Sequence, residues 1–360
     1  MLKGLSQLTI IIPTYERHNL LLRAIEYYKS WNCQVIICDS SESKYKGTIP
    51  NNFQYFHSPK RTLGNKIYNA LENVDTKYTC LSPDDDFLAK NALSLGINFL
   101  DNNKEYMSVQ GNIIEFKNRR NKIQIKPVVY LVESNYGYHI NSDDILRRIK
   151  DSIGRQHEYG LHRTFVTKKC MNIVKEIKAI TPVNVSFSLI SSIYGKHLNL
   201  PVFWQARDLT RYTSFVALDN EPLYIKEQTK PEIEDPYNYV VMNWKKYLLS
   251  SDGKKFKNNF INETDDIIDD ETFRRKIFDE ATETLSVNEL SEKKKIRYQI
   301  KQLVPQSIWA VYTSLRDSGI VAFYCRAKYK HKIGYPWSSS ISDKDWQLMS
   351  KTIINHRRIF

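Results

Sequence analysis

The sequence predicts an α/β protein: an open, mainly parallel sheet with helices on both faces, followed by a mostly α-helical C-terminal subdomain. Three observations predict it. Short continuous apolar runs alternate with amphipathic stretches through the first part of the chain, the pattern of strands buried on both faces and joined by crossover helices. Several of those runs end abruptly in polar segments, as strands do at the ligand-binding edge of such sheets. After about Lys226 the strand signals fade and helix-period stretches take over. The expected division is an α/β domain at 1–225 and an α-helical region at 226–360.

The elements follow in order. A first strand at 8–12 (LTIII) stops at Pro13. Asn19 is placed to cap a helix with Leu21, Leu22, Ile25 and Tyr28 on its apolar face. A second strand at 35–38 (VIIC) ends in Asp39-Ser40-Ser41, and a shorter third covers 53–56. The stretch 64–74 reads as a helix with Ile67, Ala70, Leu71 and Val74 on one face. A fourth strand at 78–81 runs into Ser82-Pro83-Asp84-Asp85-Asp86. A helix at 92–100, a strand from 107 and a hairpin with a basic turn across 113–132 come next. Then a strand at 161–166, helices at 168–180 and 185–194, and a strand at 200–206 complete the α/β part. Beyond a Pro-containing linker at 231–236, helices are expected at 239–249, 272–285, 289–303, 307–315 and 345–354, with an exposed acidic segment at 262–271.

Composition sets the class. The chain has 360 residues, 41% hydrophobic and 26% charged, which excludes wholesale disorder. No apolar run reaches the roughly 18 to 20 residues that span a bilayer. The opening 1–7 reads as too short and polar for a signal peptide. The five Cys are odd in number, show no zinc-finger spacing, and three (Cys33, Cys38, Cys80) sit in or beside apolar runs. Reduced thiols in a cytoplasmic protein are therefore expected. The 53 Lys+Arg against 40 Asp+Glu give a net charge of +13. Such a surplus suits an anionic membrane surface or phosphorylated substrates, or is simply a solvated basic surface. Nucleic acid rests on charge alone and is not favoured. Basic residues beside aromatics at 293–301 and 323–332 suggest peripheral contact with the inner face of a membrane.

The chemistry gathers at the strand ends. Three adjacent carboxylates, Asp84, Asp85 and Asp86, repel one another unless a cation sits among them. A divalent ion such as Mn2+ or Mg2+ is held by one or two carboxylates plus substrate phosphates. The plainer reading is a solvated turn with Asp86 capping the next helix. Asp39 can accept hydrogen bonds from a base or ribose, or can merely stabilise its turn. Lys66 opens a helix with free amides that would suit a diphosphate, or is a solvated helix residue. No phosphate-binding P-loop and no dinucleotide glycine fingerprint follows any strand, which argues against NTPases and dehydrogenases.

Four segments in order, Ile10-Ile11-Ile12-Pro13-Thr14-Tyr15-Glu16-Arg17, Ile36-Ile37-Cys38-Asp39-Ser40-Ser41, Gly64-Asn65-Lys66 and Tyr78-Thr79-Cys80-Leu81-Ser82-Pro83-Asp84-Asp85-Asp86-Phe87, resemble a GT-A fold (Rossmann-like) glycosyltransferase of the family 2 type. The resemblance covers about the first 110 residues and continues more weakly to about Arg211. It implies transfer, with inversion, from a nucleotide-diphospho-sugar to a glycan or lipid-linked glycan acceptor, as in polysaccharide biosynthesis; a UDP-sugar is favoured. By match, Pro13, Tyr15, Glu16 and Asp39 would hold base and ribose, with Lys66, Asp84 and Asp85 also at the nucleotide-sugar. Asp86 is the first choice as metal ligand and Asp84 the second.

The family's general base usually opens a helix well beyond the acidic motif. Here that helix start reads Pro182-Val183-Asn184-Val185-Ser186-Phe187, with no acid. Asp208, Glu158 and His162 are the substitutes, in that order. Competing readings are a non-catalytic nucleotide-sugar-binding protein and a sugar nucleotidyltransferase. The second usually has a glycine- and arginine-rich loop after the first strand, whereas 13–17 has no glycine.

Overall fold

The computed structural model describes residues 4–119, 122–125, 139–155, 157–208, 244–287 and 344–355. In chain order these form β1 (Leu8–Thr14), α1 (His18–Tyr28), β2 (Gln34–Asp39), β3 (Phe53–His57), α2 (Leu63–Leu71), β4 (Tyr78–Leu81), β5 (Phe87–Leu88) and α3 (Lys90–Asn102). Next come β6 (Tyr106–Arg119), β7 (Lys122–Ile125), α4 (Ile145–Ser152), β8 (Leu161–Arg163), α5 (Thr164–Val174), α6 (Thr181–Tyr194) and β9 (Lys196–Asp208). The helices α7 (Trp244–Leu249), α8 (Ser251–Glu263), α9 (Glu271–Val287) and α10 (Lys344–Asn355) close the described chain.

The sheet runs β3-β2-β1-β4-β8-β6-β9-β5, with β7 beside β6. The first four strands are parallel, as expected for apolar runs separated by helices. Past β4 the sheet is mixed: β8 lies antiparallel to both β4 and β6, β5 antiparallel to β9, and β6 parallel to β9. Strand direction there depends on connections that leave no periodic signal in sequence. The hairpin expected across 113–132 is β6–β7.

Alternation along each strand divides the core in two. Ile11, Ile36, Cys38 and Leu81 face one apolar cluster; Ile10, Ile12, Val35, Ile37 and Cys80 face the other. The first is covered by α2, α4, α5 and α6, and by α7, α8 and α9, whose Trp244, Phe256, Phe260 and Phe278 join it. The second is covered by α1 and α3, and by α10 through Trp346, Met349 and Ile353. The described C-terminal helices thus complete both faces of the α/β layer. The boundary expected at 225/226, the helices at 289–303 and 307–315 and the basic segments at 293–301 and 323–332 lie outside the described residues. No helix among the described residues is long and apolar enough to cross a membrane.

Several local expectations change. Asn19 is not the cap of α1; the helix starts at His18 with Arg17 before it, and the Asn19 Oδ1 accepts from the Leu20 amide instead. Asp86 caps nothing, because β5 intervenes and α3 starts at Lys90 after Ala89. The strand expected at 200–206 extends from Lys196 to Asp208. Helix α8 was not expected. Its polar sequence hides three buried apolar side chains, Phe256, Phe260 and Ile261, and its start is capped by Ser250, whose Oγ accepts from the Gly253 amide at 3.1 Å.

The helix carrying Lys66 is seated by one glycine. A Cβ on Gly64 would fall 2.3 Å from the carbonyl oxygen of Val174 at the end of α5. Gly64→Ala is expected to force α2 away from α5 and to cost about 1–3 kcal/mol, read as a lower denaturation midpoint. An unchanged midpoint would show that the two helices separate freely.

Candidate functional site

Parallel pairing brings three carboxyl ends to one edge. Thr14 is level with Asp39, and Ile11 with Leu81. The segments after β1, β2 and β4 are then stitched together. The Ser40 amide donates to the Thr14 carbonyl at 3.2 Å, and the Ser82 amide to that of Ile11 at 2.9 Å. Thr14 Oγ1 donates to Asp84 Oδ2 at 2.6 Å.

Glu16 adopts a left-handed backbone, φ 51°, and closes the loop against β2. Its amide donates to Ser41 Oγ, and its Oε1 accepts from the Glu42 amide, each at 2.7 Å. Its carboxylate therefore braces two loops. Pro13 and Tyr15 are half-buried beside it.

Lys66 is not a solvated helix residue. It is buried, and its Nζ donates to the Thr14 carbonyl at 2.7 Å and to Ser40 Oγ at 3.0 Å. Burial pulls its pKa down to about 8, against the opposing pull of Asp84 and Asp39. It is a cation under the site, holding the ends of β1 and β2.

Asp39 is fully buried. Its Oδ1 accepts from the Ser41 amide at 2.8 Å; its Oδ2 accepts from Tyr55 Oη at 2.6 Å and His18 Nε2 at 2.8 Å. Burial alone would raise its pKa, but these hydrogen bonds outweigh it and hold the carboxyl below its ordinary value. Neither His18 nor Tyr55 carried a sequence signal.

The acid triplet is neutralised from within. Arg17 reaches Asp84 Oδ1 at 2.6 Å and Asp85 Oδ2 at 3.1 Å. Arg23, from α1, donates to the Asp85 carbonyl at 2.9 Å and to Asp208 Oδ2 at 2.8 Å. Asp86 turns the other way, towards β9. Its Oδ2 accepts from Gln205 Nε2 at 2.7 Å, with Arg207 3.8 Å away, and its Oδ1 accepts from the Asp208 amide at 3.1 Å. Burial raises the Asp84 pKa to about 6 despite Arg17, and pushes Asp86 well above the usual carboxylate range, with Asp85 repulsion adding to it.

These contacts test the fit for a cation. One guanidinium touches both Asp84 and Asp85, so their carboxylates converge on one position. Asp86, expected as the first metal ligand, faces away in this arrangement, with both carboxylate oxygens hydrogen-bonded to β9. Among the described residues no group of three or more His, Cys, Asp or Glu could hold a metal. Two carboxylates with donor phosphates suffice for Mg2+ or Mn2+, so Asp84 and Asp85 fit.

The three candidate bases separate clearly. Asp208 ends β9 and is ion-paired to Arg23; Arg207 beside it serves Asp86 instead, and Arg211 is outside the described residues. His162 lies mid-sheet, level with Thr79 and Ser108, away from the strand ends. Its Nε2 is 2.8 Å from the His157 carbonyl and its Nδ1 3.3 Å from Ser191 Oγ. Burial lowers its pKa to about 4. It is a packed imidazole held neutral by burial, away from the acid triplet's edge of the sheet.

Glu158 is different. Leu161 of β8 pairs with Cys80 of the antiparallel β4, so the loop just before it continues towards the acid triplet. The Tyr159 carbonyl accepts from Trp204 Nε1 at 2.9 Å, and the Arg207 guanidinium lies 4.8 Å from the Tyr159 ring centroid. Glu158 is 2% exposed, and its carboxylate oxygens find no hydrogen-bond partner outside its own residue. Burial lifts its pKa to about 7, with Arg207 opposing. Asn184 sits half-buried in the first turn of α6.

The family model described as "Glycosyl transferase family 2" matches residues 9–167. No curated protein matches the chain. Among solved structures, residues 1–349 of S. aureus TarS overlap with a TM-score of 0.43 at 12% identity, covering 80% of this chain and 91% of that one. A longer S. aureus TarS structure gives a TM-score of 0.39 at 13% identity, covering 78% and 54%. TarS 1–349 in complex with UDP-GlcNAc gives 0.40 at 12%, covering 80% and 92%. Likenesses this loose leave the chemistry of the site to be read from this chain.

Proposed function

We propose, from the match of residues 9–167 to the glycosyl transferase family 2 model, that the chain is a glycosyltransferase that moves a sugar, with inversion, from a nucleotide-diphospho-sugar to a hydroxyl of a glycan or lipid-linked glycan. A UDP-sugar is the favoured donor. The observation that carries this reading is the paired Asp84 and Asp85 carboxylates, converging on one cation position at the edge where β1, β2 and β4 end beside Asp39.

Asp84 and Asp85 would hold Mn2+ or Mg2+, which when bound neutralises charge on the departing diphosphate. Asp39, with the loop of Pro13, Tyr15 and Glu16, faces the nucleoside. Lys66 keeps those loops together from below. Glu158 takes the proton of the acceptor hydroxyl. Its loop runs towards the triplet and its raised pKa suits that task, whereas Asn184 carries no acid. Asp86 and Asp208 brace the triplet through Arg207 and Arg23. The net charge of +13 supports a cytoplasmic enzyme working beside an anionic membrane or a phosphorylated acceptor.

Thermal-shift measurement over a panel of nucleotide-sugars, each with Mn2+ and with EDTA, tests the reading. A ligand at 100 times its Kd stabilises by about 2.7 kcal/mol. UDP-sugars with Mn2+ are expected to raise Tm most. No shift with any nucleotide-sugar in either condition would sink the donor assignment.

A further inference from the structure

The cation position at Asp84 and Asp85 already holds a positive group from the chain itself. Two nitrogens of the Arg17 guanidinium lie 2.6 Å from Asp84 Oδ1 and 3.1 Å from Asp85 Oδ2. Around them, four carboxylates (Asp84, Asp85, Asp86, Asp208) face four cations (Arg17, Arg23, Arg207, Lys66). Arg17 by itself already offsets half the charge of the Asp84 and Asp85 pair. A divalent ion added beside it would leave excess positive charge in a largely buried place, which is costly.

The four cations are not equally free to move. The Arg23 and Arg207 side chains are 3% and 15% exposed, and Lys66 is buried between β1 and β2. The Arg17 side chain is 33% exposed. Its backbone is pinned, because its carbonyl accepts from the Leu20 and Leu21 amides at 2.9 and 3.0 Å as α1 starts. Only the side chain has to swing for the carboxylate pair to open.

We infer that Arg17 and a divalent cation compete for the same two carboxylates, so that the ion enters only as the guanidinium leaves. The inference rests on the reading of Asp84 and Asp85 as the cation's ligands. Arg17 then sets how tightly the nucleotide-free enzyme holds metal, and offsets half the charge of the acid pair until donor and ion arrive.

The test is Mn2+ binding to the full chain without nucleotide, read by calorimetry and by the electron paramagnetic resonance signal of free Mn2+. Wild type, Arg17→Gln, Arg17→Lys and Asp84→Asn are compared at low salt. Arg17→Gln is expected to bind Mn2+ about tenfold more tightly than wild type, Arg17→Lys in between, and Asp84→Asn more weakly than any. If Arg17→Gln is unstable, the ordering of wild type and Arg17→Lys decides. Equal or weaker Mn2+ affinity in the Arg17 variants, with Asp84→Asn still impaired, overturns the competition and leaves the metal ligands standing. No saturable Mn2+ binding in any variant, either alone or when repeated with saturating UDP, overturns both, while the donor panel above still judges the nucleotide-sugar reading.

Discussion

Glu158→Gln is expected to cut turnover by about 100- to 10,000-fold, the usual effect of losing a general base. Nucleotide affinity should stay near wild type, because Glu158 is assigned to the acceptor and not to the diphosphate. The pH profile carries a second signature. Burial holds the carboxyl at about 7, so wild-type turnover should rise as pH climbs through neutrality and the base ionises. That limb should vanish in the variant. Stability supplies a third. The folded pKa is raised above the unfolded value, so the neutral carboxyl's contribution is complete below the ordinary carboxylate range and fades as pH rises through about 7. Glu158→Gln removes that loss, and its Tm at pH 8 should equal or exceed that of wild type. Asp208→Asn is the comparator. It should lower turnover through Arg23 and the triplet while keeping the neutral-pH limb. Wild-type turnover and pH profile in Glu158→Gln would move the base elsewhere, with Asp208 next.

The half of the sheet that was readable is the half built from parallel, doubly buried strands. Val35, Ile36, Ile37 and Cys38 have no polar position to break the run, and their successor Asp39 marks the end. The polar segments after β1, β2 and β4 were legible as a site for the same reason: a strand end at a parallel edge is determined by where the apolar run stops. Beyond β4 the sequence says less. Whether β8 runs up or down the sheet decides if Glu158 or Arg163 points to the acid triplet, and three residues, Leu161 to Arg163, hold no periodicity that settles it. Ion-pair partners were also hidden. Asp86 looked like the natural ligand from its place in the motif, yet Gln205 and the Asp208 amide, more than a hundred positions later, already satisfy it. Arg17 sat in the motif without a role, because an arginine after a strand can pair with anything acid that the fold brings near. His162 looked catalytic because histidine is the neutral-pH base by default. Only its depth in the sheet shows that burial keeps it neutral.

Asp39→Asn is expected to weaken UDP binding by about 10- to 100-fold, since a hydrogen bond to a charged group contributes roughly 1.5–3 kcal/mol. The carboxylate now accepts from the Ser41 amide, Tyr55 and His18, and these keep it ionised at neutral pH. Both side chains on Oδ2, His18 and Tyr55, are half-buried, His18 with its side chain 29% exposed. A nucleoside NH or ribose hydroxyl that takes the place of the imidazole on Oδ2 exchanges one donor for another. On that account His18→Ala should leave UDP affinity within about threefold of wild type, whereas Asp39→Asn loses a full order of magnitude or more. The ratio of affinities with Mn2+ and with EDTA should be the same in Asp39→Asn as in wild type, because Asp39 touches the nucleoside and the ion sits at Asp84 and Asp85. Preference for uridine over other nucleosides should shrink with it. Normal UDP affinity in Asp39→Asn, coupled to a lower Tm, would leave Asp39 as the anchor of its own turn and shift the nucleoside contact to Tyr15 and the loop around it.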